Sequence, residues 1–182
     1  MTRAIPRLLA FLALVVPGCG PSAGGASPQA VFDRAKECST SGDWAGFYDC
    51  LAPAKRDAAI GGLLYLAAFT KMGGGTAEAE YKTLMESHGL DPNPPKPDPA
   101  APQGAQFAQW LAPAKDRRKL FADLMVFTHP TRKADDAFFD AASTLADLRV
   151  TGETATGKLV KPDGKKKTIN FVRTDGAWFL DE

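Results

Sequence analysis

The chain has 182 residues, 22 basic and 21 acidic side chains, a formal net charge of +1 and 45% hydrophobic residues. That is a globular composition, and its near-neutral charge argues against general nucleic-acid binding, which needs a strongly basic face. Three cysteines and two scattered histidines do not form a ligand cluster, so neither a metal site nor a cofactor is expected.

The N-terminus is MTRAIPRLLAFLALVVPGCG. Arg3 and Arg7 make a positive start, Leu8 to Val16 carry no charge, and the first acid is Asp33. This is the pattern of a secretory signal peptide over residues 1–18. Nine residues cover ~14 Å as a helix, too little for a hydrocarbon core of ~30 Å. Val16-Pro17-Gly18-Cys19 resembles the lipobox of bacterial lipoproteins, with an aliphatic residue three before the cysteine and a small one just before it. The resemblance implies that Cys19 is acylated and becomes the mature N-terminus. The domain would then be exported, lipid-anchored to a bacterial membrane, and face the periplasm or exterior. The alternative is an ordinary signal peptide cut further along. Residues 19–28, CGPSAGGASP, lack the side chains to order themselves and are expected to be a flexible tether. Without the leader 164 residues remain, with 20 basic and 21 acidic side chains. Residues 29–182 are enough for a single domain with its own core.

Ser27 and Pro28 suit a helix start, and Val31, Ala35 and Cys38 recur at helical spacing. Asp43 suits the cap of a second short helix through Trp44, Phe47, Tyr48 and Leu51. Trp44 and Phe47 share a face there and are expected to pack in the core. Cys38 and Cys50 flank the turn between these helices. They are either a disulfide, as befits an exported domain, or two buried reduced thiols.

A third helix is predicted over 53–72. Its middle, AAIGGLLYLAAF, is apolar on every side, which predicts a central buried helix. Gly61 and Gly62 are expected to let a neighbouring element approach closely. Gly73 to Gly75 stop this helix, and a short one follows over 77–87. DPNPPKPDPAAP, residues 91–102, holds six prolines and is expected to be an extended surface loop. Further helices are predicted over 107–111, 113–127 and 134–145. LAPAKRD at 51–57 and LAPAKDR at 111–117 echo one another as capping chemistry at two helix starts, without a structural repeat.

After Leu145 the period changes to alternation through Leu148, Val150, Ala155, Gly157, Leu159, Ile169, Phe171, Trp178 and Leu180, broken by turns at Gly152, Pro162-Asp163-Gly164 and Asp175-Gly176. A two-residue Asp175-Gly176 turn sets Phe171 opposite Leu180 and Arg173 opposite Trp178. A three-residue loop with Gly164 left-handed sets Gly157 opposite Ile169 and Ala155 opposite Phe171. Both choices gather the apolar residues on one face. The fold class is therefore α+β: N-terminal helices packed against a C-terminal antiparallel meander of about four strands.

AVFDRAKECSTSGDWAGFYDCLAP resembles the opening helix, "gDw" turn and second helix of SnoaL-like, or nuclear-transport-factor-like, domains. GKLVKPDGKKKTINFVRTDGAWFLDE resembles their closing hairpins. The resemblance implies a cone, with a curved sheet around helices and a pocket at the open end. Catalytic members use a pocket carboxylate with a tyrosine or histidine, but no position here matches that motif, so no catalytic residue is carried over.

The remaining polar clusters favour structural roles. His88 precedes a glycine at a helix end and is expected to be an exposed terminus. His129 precedes Pro130, with Asp135 and Asp136 beyond, and fits a polar loop better than a base with its orienter. Lys158, Lys161, Lys165, Lys166 and Lys167 crowd one hairpin, either touching anionic headgroups or guarding a solvated tip from edge pairing. These features point to a membrane-tethered, non-catalytic envelope domain that binds a small apolar ligand or an envelope protein. A pocket enzyme of the isomerase or hydratase type and a purely structural envelope protein are the alternatives.

Overall fold

A computed structural model of the chain describes residues 24–72, 74–93, 105–129 and 139–182. Six α-helices among them precede a four-stranded antiparallel sheet, an α+β arrangement. The helices are α1 (Pro28–Ser41), α2 (Trp44–Cys50), α3 (Arg56–Lys71), α4 (Thr76–Ser87), α5 (Ala105–Leu111) and α6 (Arg117–Thr128). The strands are β1 (Thr144–Thr151), β2 (Thr154–Val160), β3 (Lys166–Thr174) and β4 (Ala177–Leu180), in the spatial order β1-β2-β3-β4.

The helix starts follow their capping residues. Ser27 accepts from the Ala30 amide at 3.1 Å, and Asp43 from the Gly46 amide at 2.9 Å. Each satisfies an amide that the first turn leaves without a partner. The helix predicted over 53–72 divides into a 3₁₀ turn, Pro53–Lys55, and α3. The helix predicted from Pro113 starts later, after Asp116, whose side chain caps the Lys119 amide at 2.8 Å. Residues 94–102 of the proline-rich segment lie outside the described residues.

The predicted sheet register holds at every tested pair. Phe171 faces Leu180, Arg173 faces Trp178, Ala155 faces Phe171 and Gly157 faces Ile169. Ala155, Leu159, Ile169, Phe171 and Leu180 are all buried. α1 packs on β4, α2 on α1, α6 on α2, and α3 on α6. An aromatic cluster joins these layers: Phe32 meets Phe139 edge-on at 5.3 Å, and Phe47 stacks on Phe121 at 6.3 Å. Full burial of one such ring contributes roughly 1.5–3 kcal/mol.

Two expectations need correction. Of the helix predicted over 134–145, residues 134–138 lie outside the described set. Its remainder is a turn at Asp140 followed by the start of β1. Asp140 accepts the Ala142 amide at 2.9 Å, and the Ser143 amide bonds the Asp140 carbonyl at 2.9 Å, a local turn that competes with helix. The second correction concerns α3, which is not buried on all sides. Ile60, Leu63, Leu64 and Ala67 face the core, whereas Gly62, Tyr65, Phe69 and Met72 are exposed. Gly61 does meet a neighbour, the Phe107 ring, 3.4 Å from where a Cβ would stand, but among the described residues nothing lies within 4 Å of the same point at Gly62.

Candidate functional site

Cys19 and the expected leader lie outside the described residues, but the chain just beyond them is placed. Gly25 pairs with Trp178 in an antiparallel bridge: its amide donates to the Trp178 carbonyl at 2.9 Å and its carbonyl receives the return bond at 2.8 Å. The Gly24 amide donates to the Asp49 carbonyl at 3.1 Å. The second half of the expected tether 19–28 thus lies against the free edge of β4. Leu51 occupies the same edge, through a parallel bridge to Leu180. Gly24 has φ +81, and a Cβ there would stand 2.6 Å from the Trp178 carbonyl oxygen, so only glycine fits without a shift.

Cys38 and Cys50 are both buried thiols, and both adjoin Gly46. The Cys50 thiol donates to the Gly46 carbonyl at 3.4 Å, and Cys38 Sγ would lie 2.8 Å from a Cβ at Gly46. Burial pushes the Cys50 thiol up to about 12, with the nearby Cys38 adding to it. Burial also raises Cys38, helped by the Asp43 carboxylate. A thiol held protonated in this way is a poor nucleophile and a poor metal ligand. No group of three or more potential metal-ligating side chains occurs among the described residues.

His88 departs from its expected place. Its side chain is only 6% exposed, and its Nε2 donates to Asp123 Oδ2 of α6 at 2.8 Å. Lys119 Nζ reaches the same oxygen at 2.5 Å. Burial pushes the Asp123 carboxyl up, but the hydrogen bonds from Lys119 and His88 outweigh it and hold it below its ordinary value. This triplet borders an open cleft of about 420 Å³ between α4 and α6, lined by Ala79, Glu80, Thr83, Leu84, Ser87 and Asp123. The cleft hydroxyls are committed to their own helix: Thr83 donates to the Ala79 carbonyl at 2.9 Å and Ser87 to the Leu84 carbonyl at 2.7 Å. Among the described residues the imidazole thus meets a carboxylate and no nucleophile, which makes it a clamp between two helices.

His129 is exposed, with its ring 6.1 Å from that of Trp44; Asp135 and Asp136 lie outside the described residues. In the lysine hairpin, Lys167 pairs with Glu182 at 2.9 Å, Lys165 with Asp163 at 2.8 Å, and Lys158 donates to the Thr168 hydroxyl at 2.7 Å. Lys165 and Lys167 thus each meet an acid within the hairpin region, and Lys158 a neutral hydroxyl. No helix among the described residues is long and apolar enough to cross a membrane.

No family model, curated protein or solved structure matches this chain.

The site residues that sequence reasoning missed are of two kinds. Asp123 had only a local sign, Lys119 four residues before it; its partner His88 is 35 residues away on another helix. Tyr65, Phe69 and Met72 did carry a signal, the 4-then-3 spacing that places them on one stripe of α3.

Proposed function

We propose that this chain is a membrane-tethered, non-catalytic envelope domain, anchored through a lipid on Cys19, that works by binding a protein partner through its outer surface. The observation that carries this reading is the filled inner face of the sheet. Ala155, Leu159, Ile169, Phe171 and Leu180 are each at most 4% exposed, packed under the helices, so the volume a small apolar ligand would take is held by the protein's own core. The isomerase or hydratase alternative calls for a carboxylate inside the sheet. The cleft acid, Asp123, lies instead between α4 and α6, already hydrogen-bonded to His88 and Lys119.

The clipped N-terminal backbone adds to the tether reading. Gly24 is five residues after Cys19, and a chain spans at most ~3.6 Å per residue, so a lipid at Cys19 would hold the domain within ~18 Å of the membrane. The likeness to SnoaL-like domains belongs to the same proposal. The two segments that carry it touch in the structure, α1 against β4 and Leu51 against Leu180.

The test is native mass spectrometry of the full chain gently extracted from its own envelope. The expected result is an acylated chain beginning at Cys19, with no small passenger and with a protein-sized one at high concentration. An unacylated chain would overturn the tether. A bound mass of a few hundred daltons would overturn the filled-core reading.

A further inference from the structure

We propose that the partner is a second copy of this chain, docked α3 against α3 about a two-fold axis beside Tyr65. The inference rests on the protein-partner reading above and gives it a surface. Tyr65, Phe69 and Met72 are 63%, 53% and 76% exposed, although each is large and apolar. A run of exposed apolar side chains on one helix face is the mark of an interaction surface.

The stripe continues toward the start of α3 through Gly62 and Ala58, both exposed. The spacing along Ala58, Gly62, Tyr65, Phe69 and Met72 alternates four and three, the seam that keeps one helix facing another. No charged residue lies between Asp57 and Lys71, so a helix laid on this stripe buries no charge. The adjoining cation is held elsewhere: Lys71 Nζ lies over the Tyr81 ring, 5.0 Å from its centre.

The sizes along the stripe select the occupant. Its first half is small (Ala58, Gly62) and its second half large (Phe69, Met72). An antiparallel second copy sets Phe69 over the partner's Gly62, Met72 over the partner's Ala58, and Tyr65 beside its own equivalent. Each bulky side chain then meets a gap, in both directions at once, as an isologous two-fold interface requires. This also explains Gly62, a poor helix former on an exposed surface that no neighbour among the described residues requires. In the pair it lets the two helices approach closely.

The three large side chains of both copies, with the backbone around Gly62, would bury on the order of 1,000 Å², at the lower bound for a specific interface. The pair is therefore weak and exchanging, of the kind that confinement to one membrane face promotes. A two-fold along the membrane normal leaves both Cys19 tethers on the same side.

The test is cross-linking of the full chain in its own envelope. Tyr65→Cys, next to the axis, should give a covalent dimer under mild oxidation, whereas the parent chain should not. Ala58→Cys and Met72→Cys should each fail alone and link when co-expressed. Gly62→Glu in the Tyr65→Cys background should abolish the dimer and leave the melting temperature unchanged. A dimer that survives Gly62→Glu, or equal linking by an exposed control such as Glu78→Cys, would overturn the proposal. Two other results with the Tyr65→Cys variant would overturn it as well. If the bilayer shields the introduced thiol from an impermeant maleimide and no link forms, the stripe is a lipid contact. If the thiol links to a different protein, the partner is not a second copy. Acylation read on the same sample separates the two ideas. An acylated chain that never links leaves the tether and removes the dimer; an unacylated chain that links does the reverse.

Discussion

Arg117 Nη1 donates to both carboxylate oxygens of Asp57, at 2.6 and 2.5 Å, and ties the first turn of α6 to the first turn of α3. The two residues end the echoed segments LAPAKDR and LAPAKRD. In each segment the proline stands outside the α-helix: Pro53 opens a 3₁₀ turn, and Pro113 sits in the turn before Asp116. Exchanging the last two letters puts an acid at one helix start and a base at the other, so the two starts attract. Arg118 makes a second fork to Asp49 of α2, at 3.1, 3.0 and 2.9 Å, which docks α6 on its other neighbour.

Both members of the Asp57–Arg117 pair are more than a third exposed, so solvent screens them. Asp57→Asn and Arg117→Gln should each lower stability by at most about 1 kcal/mol, and the double variant by less than their sum. Urea unfolding of the four proteins measures the coupling. A coupling of zero at low salt would mean the fork is ornamental.

The strands were legible because their signals are local. Period-two alternation and the Asp175-Gly176 turn leave one register that buries Phe171, Leu180 and Ile169 together, and the chain adopts it. Helix starts were legible where a capping side chain stands beside them, as at Ser27 and Asp43. At 139–145 the letters suit a helix, but Asp140 and Ser143 satisfy nearby amides and release Thr144 and Leu145 to pair with Val160 and Leu159. For α3 the inference from all-round apolarity to burial failed because, among the described residues, the core covers only the side of Ile60, Leu63, Leu64 and Ala67. For His88 and Asp123 nothing local marks a pairing across two helices.

Tyr81 is 1% exposed, and its hydroxyl has no hydrogen-bond partner among the described residues. A buried hydroxyl without a partner costs free energy, so Tyr81→Phe should raise stability by about 1 kcal/mol. The phenol is also pushed up to about 12, by burial first and then by the Asp91 carboxylate, against about 10 in the unfolded chain. Its folded pKa is raised, so the stability it contributes is complete below about pH 10 and is lost as pH rises toward 12. Cys50 acts in the same direction from pH 9 upward, in both proteins. Urea midpoints between pH 8 and 11 should therefore fall for both, and more steeply for the wild type. Parallel curves would mean that burial does not hold the Tyr81 phenol in its neutral form.

Asp123 sets the acid side. Its folded pKa lies below its ordinary value, because the bonds from Lys119 and His88 outweigh its burial. The stability it contributes is present above the unfolded value and is lost as pH falls through the folded one. Asp123→Asn should be less stable than the wild type at pH 7, with the gap closing below pH 4. A gap that stays constant down to pH 2.5 would show that Asp123 contributes through shape and not charge.

Trp178 joins the core to the incoming chain: it is only 6% exposed, and its backbone holds Gly25 through both amide and carbonyl. Trp178→Ala should cost roughly 3–5 kcal/mol, the usual range for removing a large core side chain. Gly24→Ala should act differently. At φ +81 and with the Trp178 carbonyl in the way, alanine strains only the clip, at a cost of about 1–3 kcal/mol that local detachment relieves. The domain then keeps its melting temperature, while the first backbone contact among the described residues moves back to the Ser27 cap, eight residues after Cys19. The reach from Cys19 grows from ~18 Å to ~29 Å. Elastase, which cuts after small residues, should nick residues 20–27 faster in Gly24→Ala than in the wild type, leaving a folded core. Equal nicking rates would mean the glycine pair does not restrain the chain, and the short standoff that the proposed tether implies would lose its physical basis.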